Sequence, residues 1–319
     1  RMQVREALAA LLQMLADKNT EMRLAALRAL ELLEDPEALD LLIHILPEVK
    51  DTGWRVVWAA LISCARTRPE RLLAYITHPE PRVRAVVASV LGEVAPPALL
   101  VELLAHTDEP DPEVRAKLAR ALGRSGSPRA LPLLAQWTQD PVWYVRLQAV
   151  GALGALRDRT AHEFLLRATS DPNLLVRQKA AAALYLFWAD PIYLVDLLRQ
   201  SVPDRSALEA LLSVLEWRGV TWEAINHVNS PVDSQREQSR ELVRRLIQVG
   251  AYAAVFYAIA MHPEAEVRRV LVELVGQALP AEGYLGLVQV LASPHLDAGT
   301  RRAVEKLVGF PEELGHDMG

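Results

Sequence analysis

Apolar positions recur along this chain at helical spacing, and the stripes themselves recur. In "DPEVRAKLARALG", residues 111–123, Val114, Leu118, Ala119 and Leu122 fall on one side of a helix. Residues 140–154, "DPVWYVRLQAVGALG", repeat the arrangement with Val145, Ala149, Val150 and Leu153. This is the i, i+3, i+4, i+7 stripe of an amphipathic helix. An Asp-Pro or His-Pro step opens each stripe. Asp111, Asp140 and Asp171 are placed there to cap a helix, with proline in the first turn. Gly92, Gly123 and Gly154 stand where such helices are expected to end. A short polar turn and a second apolar run, such as "ALPLLAQWT", complete each unit.

A Val-Arg pair marks the phase. Arg84, Arg115, Arg146 and Arg177 are each 31 residues apart, and Arg23, Arg55, Arg268 and Arg301 fit the same register. Between Arg177 and Arg268 lie 91 residues, room for three periods with two degenerate members, near 204–217 and 234–247. A fixed period of this size is the mark of a solenoid, in which each unit completes its neighbour's core. The expected fold is all-α, with about ten helix pairs in a single array over 1–309. The pattern is irregular over about 190–250, and a C-terminal tail occupies 310–319.

The pattern D-P-x(2–4)-V-R-x-x-A-x-x-A-L-G, a turn, then A-L-x-x-L resembles HEAT repeats in the short form of phycobilisome-lyase-like proteins. The resemblance runs from Met2 to Val308 and is strongest over residues 79–189. It implies a right-handed superhelix with the Val-Arg helices lining the concave face.

Composition narrows the function. The chain is 51% hydrophobic but only 6% aromatic, so Leu, Ala and Val carry the burial, and Ala and Leu are among the best helix formers. A formal net charge of −5 lacks the basic footprint of a dedicated nucleic-acid binder. Cys64 is the single cysteine, which excludes an internal disulfide and a cysteine-based zinc site. The longest apolar run, "AYAAVFYAIAM" (residues 251–261), is too short to span a bilayer and reads as a buried helix. The chain begins at Arg1 rather than Met and reads as a piece of something longer; the expected location is cytoplasmic, with any tether outside this sequence.

Candidate chemistry is sparse. The arginine ladder (Arg23, Arg55, Arg84, Arg115, Arg146, Arg177, Arg268, Arg301) reads as structural, its planar forks suited to pairing with Asp or carbonyl groups between units. One HEAT-like enzyme family, deoxyhypusine hydroxylase, holds two irons with several His-Glu pairs. This chain has one, His162-Glu163, and no metal or other cofactor is expected. HEAT-like alkylpurine DNA glycosylases combine a basic concave face with aromatics and a catalytic aspartate. Lys117, Arg120, Lys179, Trp143 and Tyr144, with Asp140 nearby, offer a partial counterpart, but Asp140 occupies the repeated capping position. No glycine-rich phosphate loop or nucleophile elbow is present.

Positions one, two and five after each arginine are left for the groove once the core takes three, four and seven. Leu24, Val56, Val57 and Val86 then form an apolar strip, and Lys117, Arg120, Gln148 and Lys179 a polar, basic centre. Trp143 and Tyr144 are hot-spot candidates on the rim. The reading is a non-catalytic scaffold that docks a protein or peptide. Its alternatives are nucleic-acid binding or glycosylase-like activity through the basic centre, and a bilin-lyase-like or chaperone role implied by the repeat's resemblance.

Overall fold

The computed structural model describes residues 10–309 apart from 12–13, 15–18, 34–35, 49–53, 107 and 202–204. Among the described residues the regular structure is entirely helical, and the chain divides into two compact units, 1–168 and 169–319. Each unit is a stretch of α-solenoid, a succession of helix pairs laid in two layers.

In the first unit the Val-Arg helices form the inner layer. They are α1 (Thr20–Leu33), α3 (Trp54–Ala65), α4 (Pro81–Val94), α6 (Pro112–Arg124) and α8 (Trp143–Leu156). The second layer holds α2 (Pro36–Ile45), the 3₁₀ segment Pro69–Tyr75, α5 (Pro97–Leu100) extended by the 3₁₀ turn Val101–Ala105, α7 (Leu131–Trp137) and α9 (His162–Ala168). Prolines at or near the start of many of these pieces set φ for a helical first turn and keep them short.

The second unit continues the alternation. Its inner helices are α10 (Leu174–Trp188), α12 (Arg205–Trp217), α14 (Asp233–Gln248), α16 (Ala265–Ala278) and α18 (Ala298–Val308). Its outer helices are α11 (Pro191–Ser201), α13 (Val220–His227), α15 (Ala253–Met261) and α17 (Tyr284–Leu291). Ten Val-Arg-type helices are therefore present among the described residues, and the irregular stretch over 190–250 is helical like its flanks. No described helix is long and apolar enough to cross a membrane.

The periodic stripe is the core. Val114, Leu118, Ala119, Leu122, Val145, Ala149, Val150 and Leu153 are all buried, and each Leu or Val so buried contributes about 1.5–3 kcal/mol of hydrophobic stabilisation. Helices α4 and α6, then α6 and α8, pack along their lengths. Gly92 and Gly123 do not end these helices. They lie inside α4 and α6, where a Cβ on Gly92 would meet Ala121 at 3.2 Å and one on Gly123 would meet Ala152 at 2.6–2.7 Å. Gly154 likewise lies within α8. Left-handed stops are Arg157 after α8, Ala189 after α10 and Gly309 after α18, with φ of 51°, 48° and 77°.

In a helix interior Gly→Ala ordinarily gains up to about 1 kcal/mol. Gly123→Ala is expected to do the reverse, destabilising by about 1–3 kcal/mol because backbone and Cβ of Ala152 stand in the way. Chemical unfolding of Gly123→Ala and of the double variant Gly123→Ala/Ala152→Gly checks this, with the second substitution restoring part of the loss.

Candidate functional site

The arginine ladder is built first by the turn that precedes each helix. An X-Pro step holds residue X extended and leaves two consecutive carbonyls outside any helical bonding. Six residues later the arginine reaches back and caps both with one Nη1. Arg115 donates to Glu109 O at 3.0 Å and Pro110 O at 2.8 Å, and Arg84 to His78 O at 2.8 Å and Pro79 O at 3.1 Å. Arg146 does so on Asp140 and Pro141, Arg177 on Asp171 and Pro172, and Arg268 on His262 and Pro263. At Arg301 the turn is two residues longer, and the carbonyls reached are Leu291 and Ser293, 2.6 and 3.0 Å away. Arg23 bonds Thr20 Oγ1, and the side chain of Arg55 lies outside the described residues.

The remaining guanidinium edge grips a carboxylate of the next repeat. Arg84 Nε and Nη2 donate to Glu109 at 2.9 and 2.7 Å, Arg115 to Asp140 at 2.7 and 3.2 Å, and Arg268 to Asp297 at 3.0 and 2.8 Å. The Arg84 and Arg115 pairs are bidentate and largely out of water, with Asp140 only 5% exposed, whereas Arg268 meets one oxygen of an Asp297 that is 40% exposed. Asp140 and Asp171 are therefore not helix caps. Each sits two residues before the cap, accepts the N–H two residues on, and leaves the caps of α8 and α10 to Val142 and Asn173. Asp111 does cap α6, bonding Glu113 N and Val114 N.

One rung escaped the sequence pattern. Arg236 bonds Ser230 O at 2.9 Å and pairs with Asp233. The Val-Arg dipeptide is missing there, but the six-residue offset from Ser230-Pro231 was legible. Asp140, the one carboxylate that suited a glycosylase reading, has its oxygens engaged by Arg115 and by Val142 N–H.

The groove candidates separate. Val57 is fully buried beneath the surface, and Val86 is only 6% exposed. Both point closer to the core than a 3.6-residue wheel predicts, because adjacent inner helices approach closely enough to cover the flanks of the stripe. Leu24 is half-buried, and the Val56 side chain lies outside the described residues. Lys117 and Arg120 reach the surface of the first unit, while Gln148 is half-buried on α8. Lys179 is exposed on the second unit. Trp143 is 40% exposed and meets Tyr144 edge-on at 5.8 Å.

Val86, Lys117 and Arg120 do share one feature, a groove of about 1240 Å³ along α3, α4 and α6. Its apolar and small-residue side is made by Trp58, Ile62, Ala85, Ala88, Gly92 and Ala121, and its polar side by Glu80, Arg82, Glu93, Glu113, Lys117 and Arg120. Glu93 holds Arg120 at 3.1 Å and Arg124 at 3.3 Å, which fixes the basic wall. Trp58 and Ile62, three and seven residues after Arg55, fall at positions assigned to the core, while Ser89, five after Arg84, is a groove position that the apolar strip left unnamed.

Models of HEAT repeats match residues 8–77, 69–146 and 133–216. No curated protein matches the sequence. Among solved structures, an engineered protein is similar at 15% identity and a TM-score of 0.35, covering 95% of this chain and 98% of that one. The complex of CpcE and CpcF of phycocyanin lyase from Nostoc sp. PCC7120 is similar at 19% identity and a TM-score of 0.36, covering 74% and 93%. Likeness at this level carries no argument about function.

Two outcomes follow from the ladder. Arg115→Met strands a carboxylate in a nearly dry interface and is expected to cost about 3 kcal/mol, whereas Arg205→Met, at the exposed pair with Glu209, changes stability by less than about 0.5 kcal/mol; urea unfolding of both compares them. The Thr300 hydroxyl and N–H, then Arg268, hold the Asp297 carboxyl well below the usual range. A depressed folded pKa stabilises fully above about pH 4 and is lost as pH falls through the lowered value. The stability gap between wild type and Asp297→Asn is thus expected to narrow on acidification below pH ~4, as read from thermal midpoints.

Proposed function

Because this chain belongs to the HEAT-repeat family, we propose that it is a non-catalytic scaffold that docks a protein or peptide segment in the groove of its first unit. HEAT-repeat proteins commonly bind proteins. The observation that carries the reading is the groove itself. At about 1240 Å³ it exceeds the usual volume of a small-molecule pocket. An apolar floor beside walls carrying both signs of charge suits a peptide, whose side chains alternate between burial and solvent. Arg120 is 62% exposed and Lys117 40%, so both present donors to a bound chain despite their intramolecular partners.

The non-catalytic part of the proposal rests on the ladder. The acids with the strongest geometry, Glu109, Asp140 and Asp297, are each taken up by an arginine of the preceding repeat.

A peptide-library selection against the purified chain supplies the probe. Ser89 lines the groove and is only half-buried, so Ser89→Tyr fills the groove while leaving the core intact. The selected peptides are expected to bind Ser89→Tyr and Lys117→Ala/Arg120→Ala at least tenfold more weakly, with unchanged thermal midpoints. Full affinity in both variants overturns the groove as the docking site. Tight binding of duplex DNA that falls steeply with salt favours the nucleic-acid alternative instead.

A further inference from the structure

The outer layer of the second unit carries a surface that the groove does not use. Helices α13 (VTWEAINH), α15 (AAVFYAIAM) and α17 (YLGLVQVL) lie side by side and pack on α14, α16 and α18 beneath them. Their inner sides are buried through Ala224, Ile225, Val255, Ile259, Leu287 and Val290. A helix in that position ordinarily turns a polar side to water. Here most of the outward residues are apolar: Leu285 is 81% exposed, Tyr257 58%, Met261 43%, Val288 40% and Trp222 39%, with Glu223, Asn226 and Gln289 exposed among them. Over its nine residues α15 has no polar group except the Tyr257 hydroxyl. The run that reads as a buried helix in the sequence is therefore buried on one side only.

The patch is continuous. The rings of Trp222 and Tyr257 meet edge-to-face at 5.9 Å, joining α13 to α15. Gly286 brings α17 tight against α15, since a Cβ there would stand 2.9 Å from the Phe256 ring. The exposed apolar area is on the order of 500 Å², in the range of the largest patch on a typical monomer, which is often functional, and below the roughly 800 Å² per partner of a standard protein–protein interface.

Charge selects the occupant. The three helices contain no Lys or Arg. Three of the exposed charges at their edges are acidic, Glu223 on α13, Glu264 just beyond α15 and Glu282 just before α17, and one, Arg218, is basic. Arg218, close before α13, is already stacked over Tyr185 at 5.2 Å. An anionic lipid surface meets no counter-charge here, and a second copy would set acid against acid. We propose that this face docks an amphipathic helix of a partner protein, its apolar stripe on Trp222, Tyr257 and Leu285 and its Lys or Arg flanks against Glu223, Glu264 and Glu282.

Two labelled model helices of about eighteen residues, five turns, test this on the full chain by fluorescence anisotropy. They share a leucine stripe and differ only in carrying Lys or Glu flanks. The Lys helix is expected to bind at least tenfold more tightly than the Glu helix. Tyr257→Gln/Leu285→Gln, both at exposed positions, should lower its affinity at least tenfold without moving the thermal midpoint. Glu223→Lys/Glu282→Lys should reverse the preference. Ser89→Tyr should bind the Lys helix as wild type does, which separates this face from the groove. The proposal is overturned if the Lys helix does not bind, if flank charge is without effect, or if Tyr257→Gln/Leu285→Gln binds it like wild type. It is equally overturned if sedimentation shows a dimer that Tyr257→Gln/Leu285→Gln dissolves, or if the chain binds anionic vesicles through these residues.

Discussion

The structure depends on a guanidinium that satisfies a turn. Where one helix hands over to the next, proline forces the chain out of helical geometry and strands two carbonyls that no ladder can serve. The arginine six residues on returns to both, in rung after rung from Arg84 to Arg268. With one edge spent on its own turn, the other edge is left facing the next repeat, and at Arg84, Arg115 and Arg268 a carboxylate meets it. Local backbone chemistry and the stacking of neighbours are thus joined through a single side chain.

Small residues make that stacking close. Gly92 against Ala121 and Gly123 against Ala152 allow α4, α6 and α8 to approach within reach of those carboxylates. The same closeness buries the flanks of each stripe. Val57 disappears into the core, and what remains open along α3, α4 and α6 is a groove floored with small side chains rather than an exposed valine strip.

The periodic core was legible in the sequence because it is written in residue types that helical geometry reads directly: Val114, Leu118 and Leu122 return as Val145, Ala149 and Leu153. The partners of the arginines were less so. Asp111, which caps α6, and Asp140, which serves Arg115, both read as Asp-Pro steps, and only their offsets, four residues before Arg115 and six before Arg146, tell them apart. Arg236 was hidden because the dipeptide, not the offset from proline, was taken as the signature. The outward face of α15 was illegible for another reason. An apolar run gives the same pattern whether one side or both are covered, and only the packing of α13 and α17 beside it shows which.

At Arg84, Arg115 and Arg268 the arginine answers backward to its own turn and forward to the following acid, so neither half of such a repeat is complete alone. A cut between the turn and its arginine orphans two carbonyls, and a cut before the acid orphans half a guanidinium. Change in the length of such a chain is therefore quantised: whole modules of about thirty-one residues can be gained or lost by duplication or deletion, and the surface they present lengthens or shortens in steps of one helix pair.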